Sequence, residues 1–356
     1  MPERQAAIQV TTRTALLGSG MSRRAVERDV RDRRLISVHR GIYVAPIVTP
    51  GDALADLWRS RLFAQLVRGG DGSAVSHRAA AIVHGFDGWT ESTALQNGRT
   101  DSDWLRLRPE DITVPFGSTF RVPPAIRTRS LPPQDVVDVE RLPVTTKART
   151  LADLGRFLSV DDVELAMESA LRIDPRRPDQ WDEPLLADLE RRIADLPGGR
   201  TGLAVLRAVL ARRPPGARPT GSPAETRAIQ ALRPVGLDWL TRQATIRFID
   251  RRGAILRVAF PDLSDLERAF LLEIDGAGSH GTASALDRDL RRQNDLTDIF
   301  TVARWSASRV RAHPHAFAHE VASKHARLEP VFVGAGPWTV RGRTVVRTAA
   351  GLDIYV

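Results

Sequence analysis

Cysteine is absent from all 356 residues. The chain therefore forms no disulfide, holds no metal through thiolate and uses no cysteine nucleophile, which fits a reducing, cytoplasmic setting. Long apolar runs are missing too. No stretch approaches the roughly 18 residues of a membrane span, and residues 5–20 are too mixed and polar to be the core of a secretory signal. Lysine is scarce: Lys147 and Lys324 are the only two, so nearly all positive charge is arginine. What is present is a hydrophobic share of 42%, enough for a buried core, and a length that predicts two or three domains. The net charge is +9 and the pI about 11.0. Arginine forks suit phosphate, so this balance points to nucleic acid, although a biased genomic composition gives the same excess without any function.

The first fifty residues order themselves. A short helix is expected within Thr11–Met21, ended by Gly18 and Gly20. Ser22 is an N-cap residue, and the run SRRAVERDVRDRR reads as a second helix with Ala25, Val26 and Val30 on one face and arginines over the rest. LISVHRGIYV alternates around His39-Arg40-Gly41, a hairpin with glycine at its turn. Helix, turn, basic helix, hairpin is the order of a winged helix-turn-helix. It would present Arg23, Arg24 and Arg28 to a DNA groove and Arg40 on the wing. A solvated helix beside a hairpin would look the same.

Residues 52–67 repeat apolar positions at helical spacing through Leu54, Leu57, Trp58, Phe63 and Leu66. His77 and His84 lie two helical turns apart. They read as a packed or capping pair rather than metal ligands, because no third ligand is near in sequence. Asp111–Val139 is rich in proline and predicts short strands and loops, and Thr145 or Thr146 caps the next helix. Helices are expected at 162–173, 185–193 and 203–211. Residues 211–223, ARRPPGARPTGSP, then read as a linker opening the last domain.

That last domain centres on FLLEID, residues 270–275. A buried strand ending in acids at Glu273 and Asp275 puts both on one side of the pleat, and two converging carboxylates suit a hard cation such as Mg²⁺. Glu225 sits upstream on a helix behind Ser222 and Pro223. Strands are expected at 239–250 and 253–260, a charged helix at 287–295 and a further strand at 300–305. Residues 331–356 add one or two short strands. Helix, three meander strands, helix, strand is the order of a restriction-endonuclease-like core. The plain structural alternative for Glu273 and Asp275 is an ion pair with Arg288 or Arg292, and Asp289 and Arg292 suit a helix-surface pair.

Two family resemblances follow from these motifs. Residues 10–172 resemble AbiEi-type antitoxins, winged-helix transcriptional autorepressors. The match runs through Met21-Ser22-Arg23-Arg24, Arg33-Arg34-Leu35, His39-Arg40-Gly41-Ile42-Tyr43, AVSHRAAAIVHGF at 74–86 and LPVTTKARTLADL at 142–154. Residues 222–292 resemble domains related to very-short-patch-repair endonucleases of the PD-(D/E)XK superfamily. Here the match runs through Ser222-Pro223-Ala224-Glu225, Arg242-Gln243, Arg257-Val258-Ala259-Phe260, Glu273-Ile274-Asp275-Gly276, His280 and Asp289-x-x-Arg292. The first resemblance implies DNA and a cognate toxin protein as partners. The second implies Mg²⁺, with Glu225, Glu273, Asp275 and His280 as catalytic residues. Glu273, Asp275 and Asp262 would be metal ligands, and Arg242, Gln243, Arg288 and Arg292 would contact nucleic acid. The chain departs from that family at Ala259, where the pattern has aspartate, and Asp275 stands where the superfamily has lysine. Asp262 would have to swing back past Pro261 to compensate.

The sequence thus predicts an α+β, multidomain protein: a winged helix-turn-helix at 1–48, an α/β middle region at 49–210, a linker at 211–223, a restriction-endonuclease-like α/β core at 224–330 and an extension at 331–356. The expected function is that of a DNA-binding regulator whose nuclease-like domain is impaired, holding Mg²⁺ weakly. An Asp at position 259 would then restore cleavage. The alternatives are an active Mg²⁺-dependent endonuclease and a protein whose main work is contact with a toxin-like partner.

Overall fold

A computed structural model of the chain describes residues 10–44, 53–87, 111–115, 126–129, 131–174, 177–195, 201–276 and 296–356. It is a mixed α+β structure in two compact units, Met1–Phe157 and Leu158–Val356. Among the described residues no helix is long and apolar enough to cross a membrane.

The first unit opens with β1 (Val10–Thr12), α1 (Arg13–Gly18), α2 (Arg23–Arg31), β2 (Ile36–His39) and β3 (Ile42–Val44). Thr12 and Ser22 cap the two helices, their hydroxyls accepting from the Ala15 and Ala25 N–H groups at 3.1 and 3.2 Å. Of α2 only Val26 is buried, so Arg23, Arg24 and Arg28 stand in solvent. The strands form an antiparallel sheet in the order β1-β3-β2, and Gly41 takes the positive φ of 78° that the hairpin turn requires.

The rest of this unit is α3 (Ala53–Gly69), β4 (Ala74–Val75), α4 (His77–Val83), β5 (Ile112–Pro115), β6 (Ile126–Arg129), β7 (Val136–Val139), β8 (Leu142–Thr145) and α5 (Lys147–Leu154). Its five strands run in the order β6-β5-β4-β8-β7. Trp58, Leu62 and Leu66 of α3 share one core with Ala79, Ala80 and Ile82 of α4 and with Val75, Ile112, Val114 and Val144 of the sheet. Thr146 is the residue that caps α5. The two histidines are structural: His77 Nδ1 lies 2.8 Å from Ser76 Oγ, and His84 Nε2 lies 2.7 Å from the Thr145 carbonyl.

The second unit begins earlier than the expected boundary at 211–223. Helices α6 (Val160–Leu171), α7 (Glu183–Asp195) and α8 (Thr201–Ala211) belong to it. The proline-rich stretch after them is pinned rather than loose. Arg213 pairs with Glu168 of α6, Arg218 donates to the Gln243 carbonyl at 2.7 Å, and the Thr220 N–H reaches Glu168 at 3.1 Å. Proline and glycine there shape a fixed path, and side-chain ties the composition did not reveal hold it.

After α9 (Pro223–Leu232) come β9 (Thr241–Arg242), β10 (Thr245–Ile249), β11 (Ile255–Ala259), β12 (Leu263–Asp265), β13 (Phe270–Asp275), β14 (Thr301–Ser306), α10 (Ala307–Ala312), α11 (Pro314–His325), β15 (Trp338–Val340), β16 (Arg343–Thr348) and β17 (Gly351–Tyr355). The expected strands at 239–250 and 253–260 are one long hairpin that folds over midway. Its near half joins a sheet ordered β14-β13-β12-β9 and its far half a sheet ordered β11-β10-β17-β16-β15. Register is constant across the crease: Arg242 faces Leu263, and Ile246 faces Ala259. The crease falls at Gln243, with φ 49°, opposite Pro261-Asp262, where proline cannot donate to the ladder.

Residues 331–356, expected to add one or two short strands, supply three of the five strands in that second sheet, and β17 runs parallel to β10 inside it. A Cβ on Gly351 would stand 1.9 Å from the Thr245 carbonyl oxygen, so only glycine lets these strands meet. One of the strands expected in this stretch, over Pro330–Gly334, does not form, although Phe332 is fully buried.

β13 divides the unit by its alternation. Phe270, Leu272 and Ile274 pack with Ile229 and Leu232 of α9 and with Val310, Phe317 and Val321 of α10 and α11. Leu271 points the other way, into a core of Ile246, Phe248, Ala259, Phe332, Leu352 and Ile354.

Candidate functional site

The site lies at the crease. Ser222 caps α9 and its hydroxyl accepts from the Glu225 N–H at 3.3 Å, with Pro223 at the first helical position. The Glu225 carboxylate turns back and accepts from the Gly221 N–H at 2.7 Å and from Gln243 Nε2 at 2.7 Å. A Cβ on Gly221 would lie 3.0 Å from Glu225 Oε1 and 3.2 Å from Gln243 Nε2, so glycine makes room for this approach.

Asp262 does swing back. The crease breaks the ladder opposite Ile274, and Asp262 Oδ2 accepts the Ile274 N–H at 2.7 Å. The Gln243 amide lies 3.5 Å from Asp262 Oδ1, so a single side chain reaches both Glu225 and Asp262. Burial, then the negative charges of Glu225 and Glu273, push the Asp262 carboxyl up to about 9. Burial also raises Glu225, against the donors from Gly221, Ser222 and Gln243. Three acids therefore share one electrostatic field, in which the Arg172 charge acts on Glu225.

Among the described residues no group of three or more His, Asp or Glu side chains closes around a metal position. The charges of Glu225 and Glu273 nevertheless act on Asp262. Asp262 and Glu273 are the acids that could supply oxygens to a hard cation such as Mg²⁺, which commonly takes one or two carboxylates and keeps its waters. Glu225 stands behind the Gln243 amide.

The other expected site residues divide sharply. Asp275 accepts a fork from Arg304, at 2.6 and 3.1 Å, and Arg304 stands opposite Glu273 in the neighbouring strand. Arg242 is buried and donates to Glu168 at 2.8 Å, so it is closed to a nucleic acid. Gln243 is buried as well and organises acids instead of contacting bases. Ala259 does not face the acids: it packs in the apolar core with Ile246, Phe248 and Leu271. A carboxylate at that position would enter hydrocarbon, which removes the expectation that Asp at 259 would repair the site. His280, Arg288, Asp289 and Arg292 lie outside the described residues. Sequence reasoning missed Arg304 and the role of Gly221. The Ser-Pro-Ala-Glu box was the available signal for the second.

No protein-family model matches the chain, and no curated protein matches it.

Proposed function

We propose that the chain is a DNA-binding protein whose second unit hydrolyses phosphodiesters with Mg²⁺, using Asp262 in place of the acid absent at position 259. The observation that carries this reading is the Gln243 amide, 2.7 Å from Glu225 and 3.5 Å from Asp262, which brings those two acids to one place where the Glu273 charge also acts. Held by Asp262 and Glu273, Mg²⁺ would supply the polarisation of a phosphoryl oxygen and the acidification of a water. Asp262 must give up its proton to receive the ion, so affinity is weak at neutral pH and rises above it. Glu273 shares the ion's charge. Glu225, raised by burial, is the group suited to take a proton, and Gln243 keeps it in register with Asp262.

On this reading residues 10–44, at the start of the first unit, are a winged helix-turn-helix. Arg23, Arg24 and Arg28 on the exposed face of α2, with Arg40 at the hairpin, are the charges that meet duplex phosphates. Each such arginine changed to alanine lowers the salt slope of DNA binding by about one unit.

The test is cleavage of supercoiled and linear DNA with Mg²⁺ or Mn²⁺ and with chelator. Chelator-sensitive cutting, reduced about 100-fold or more in Asp262→Asn and Glu273→Gln, is the expected result. A second reading is a non-hydrolytic regulator of the antitoxin type with a toxin protein as partner. It is favoured by the way Asp262 spends one oxygen on the Ile274 N–H and stays protonated at neutral pH. Salt-dependent DNA binding with no metal-dependent cutting would select it.

A further inference from the structure

A cavity of about 440 Å³ opens in the second unit on the far half of the bent hairpin. It is lined by Arg218 and Arg247, by the Thr245 hydroxyl, by Val258 and Phe260, and by the turn at Ala349. That volume is within the roughly 300–1,000 Å³ of small-molecule sites.

Its two guanidiniums differ. Arg247 is held in a fork by Asp353, Nε to Oδ1 at 2.6 Å and Nη2 to Oδ2 at 2.9 Å, so its charge is largely balanced. Arg218 is not balanced in this way. Among the described residues its hydrogen bonds go to neutral oxygens, Nη1 donating to the Gln243 carbonyl at 2.7 Å and to Thr245 Oγ1 at 2.9 Å. The one acid on the lining, Asp179, accepts from Arg177 at 3.3 and 3.4 Å and acts on Arg218 through its charge alone. The cavity thus offers a fixed cation with Nε and Nη2 outside those two bonds, a hydroxyl beside it and an apolar wall.

We propose that this cavity binds a phosphate group at Arg218, with the attached sugar or base against Val258 and Phe260. A planar guanidinium fixed by neutral acceptors is oriented in advance for a phosphate fork, and an aromatic wall suits a nucleotide's base face. The occupant is a phosphodiester of a nucleic-acid strand passing the acid cluster, an assignment that rests on the reading of the second unit as a phosphodiesterase. The link between the two places is physical: Arg218 grips the carbonyl of Gln243, whose side chain touches Glu225 and reaches Asp262.

The experiment is calorimetric titration of the full chain with a 5′-phosphorylated thymidine dinucleotide, in chelator, so that the result does not depend on metal or cleavage. Binding at one site per chain is expected, weakened at least tenfold in Arg218→Ala. Because that change also removes the grip on Gln243, Ala349→Glu is the second variant. It sets a negative charge at the exposed rim, leaves Arg218 in place and should weaken binding comparably. Displacement of the dinucleotide by an equal concentration of inorganic phosphate would keep the phosphate site and reject a strand as its source. No binding by the wild type, or binding unchanged in both variants, would overturn the proposal. Loss of metal-dependent cutting with dinucleotide binding intact would overturn only the phosphodiesterase reading.

Discussion

The second unit buries two sets of carboxylates under opposite terms. Glu168 of α6 is fully buried, yet its carboxyl lies below the ordinary value. Burial alone would raise it, but Arg242, Arg213 and the Thr220 N–H outweigh that cost. Asp262 is half-buried and is pushed up to about 9, first by burial and then by the negative charges of Glu225 and Glu273. Both lie against the same hairpin: Arg242 of the Glu168 cluster and Gln243 of the acid cluster are adjacent residues that face opposite partners. A buried acid supplied with cations is architecture. One surrounded by further acids stores unfavourable charge that a bound cation can relieve, and such perturbed groups concentrate at functional sites.

The largest effect belongs to the architectural set. Glu168→Ala strands Arg213 and Arg242 in the interior and should cost about 3–5 kcal/mol of unfolding free energy, measured by urea denaturation. A loss below about 1 kcal/mol would mean that the arginines reach water or other partners. Arg242→Ala should likewise act on stability. Ala259→Asp comes next: an unpaired charge among Ile246, Phe248 and Leu271 should cost about 3 kcal/mol or more and should not create metal binding. A variant that is stable and binds Mg²⁺ would show that position 259 belongs to the acid cluster after all.

Much of this was legible in advance, and the failures have physical causes. The caps at Ser22 and Ser222, the hairpin at Gly41 and the strand at 270–275 follow from local chemistry, and each appears as expected. The acids Glu225, Asp262 and Glu273 were also picked out. What local patterns could not show was the crease. A constant register across Arg242/Leu263 and Ile246/Ala259 leaves no periodicity break to read, so Ala259 was assigned to the site when it belongs to the core. Nor could composition distinguish a loose linker from residues 211–223. Their proline and glycine content is the same whether or not Arg213 and Thr220 find Glu168. Arg242 was assigned to nucleic acid because the Arg242-Gln243 pair belongs to the resemblance that implied it. Its partner lies 74 residues away on α6.

The acid set should show itself through pH. A carboxyl whose folded value is raised contributes stability that is fully present below its unfolded value, about 3.9, and is lost as pH rises toward the folded value near 9. Stability should therefore fall across this window by up to about 1.4 kcal/mol per pH unit from this one group. Asp262→Asn should flatten the decline while keeping an oxygen for the Ile274 N–H. Divalent cation works in the opposite sense. At pH 8–9, Mg²⁺ at ten times its dissociation constant should restore about 1.4 kcal/mol in the wild type, and nothing in Asp262→Asn or Glu273→Gln. Thermal melts with and without the ion read both effects. A wild-type profile parallel to that of Asp262→Asn would dissolve the contrast with Glu168.

The smallest effect is expected at the third kind of acid. Asp275 shares its side of β13 with Glu273, but its fork to Arg304 lies in solvent, with the two side chains 45% and 32% exposed. Water already solvates both charges, so the pair gains little by meeting and is screened by salt. Asp275→Asn should change unfolding free energy by about 0.2–1 kcal/mol, less at high salt, and should leave the pH profile set by Asp262 unaltered. It should also leave metal-dependent cutting within about threefold of wild type, because an arginine-bound carboxylate is not available to the ion. If instead the substitution abolished cutting as completely as Glu273→Gln, Arg304 would have to release Asp275 when the ion arrives. The acids at 273 and 275, set on one side of the strand by its two-residue period, would then act together as the sequence pattern suggests.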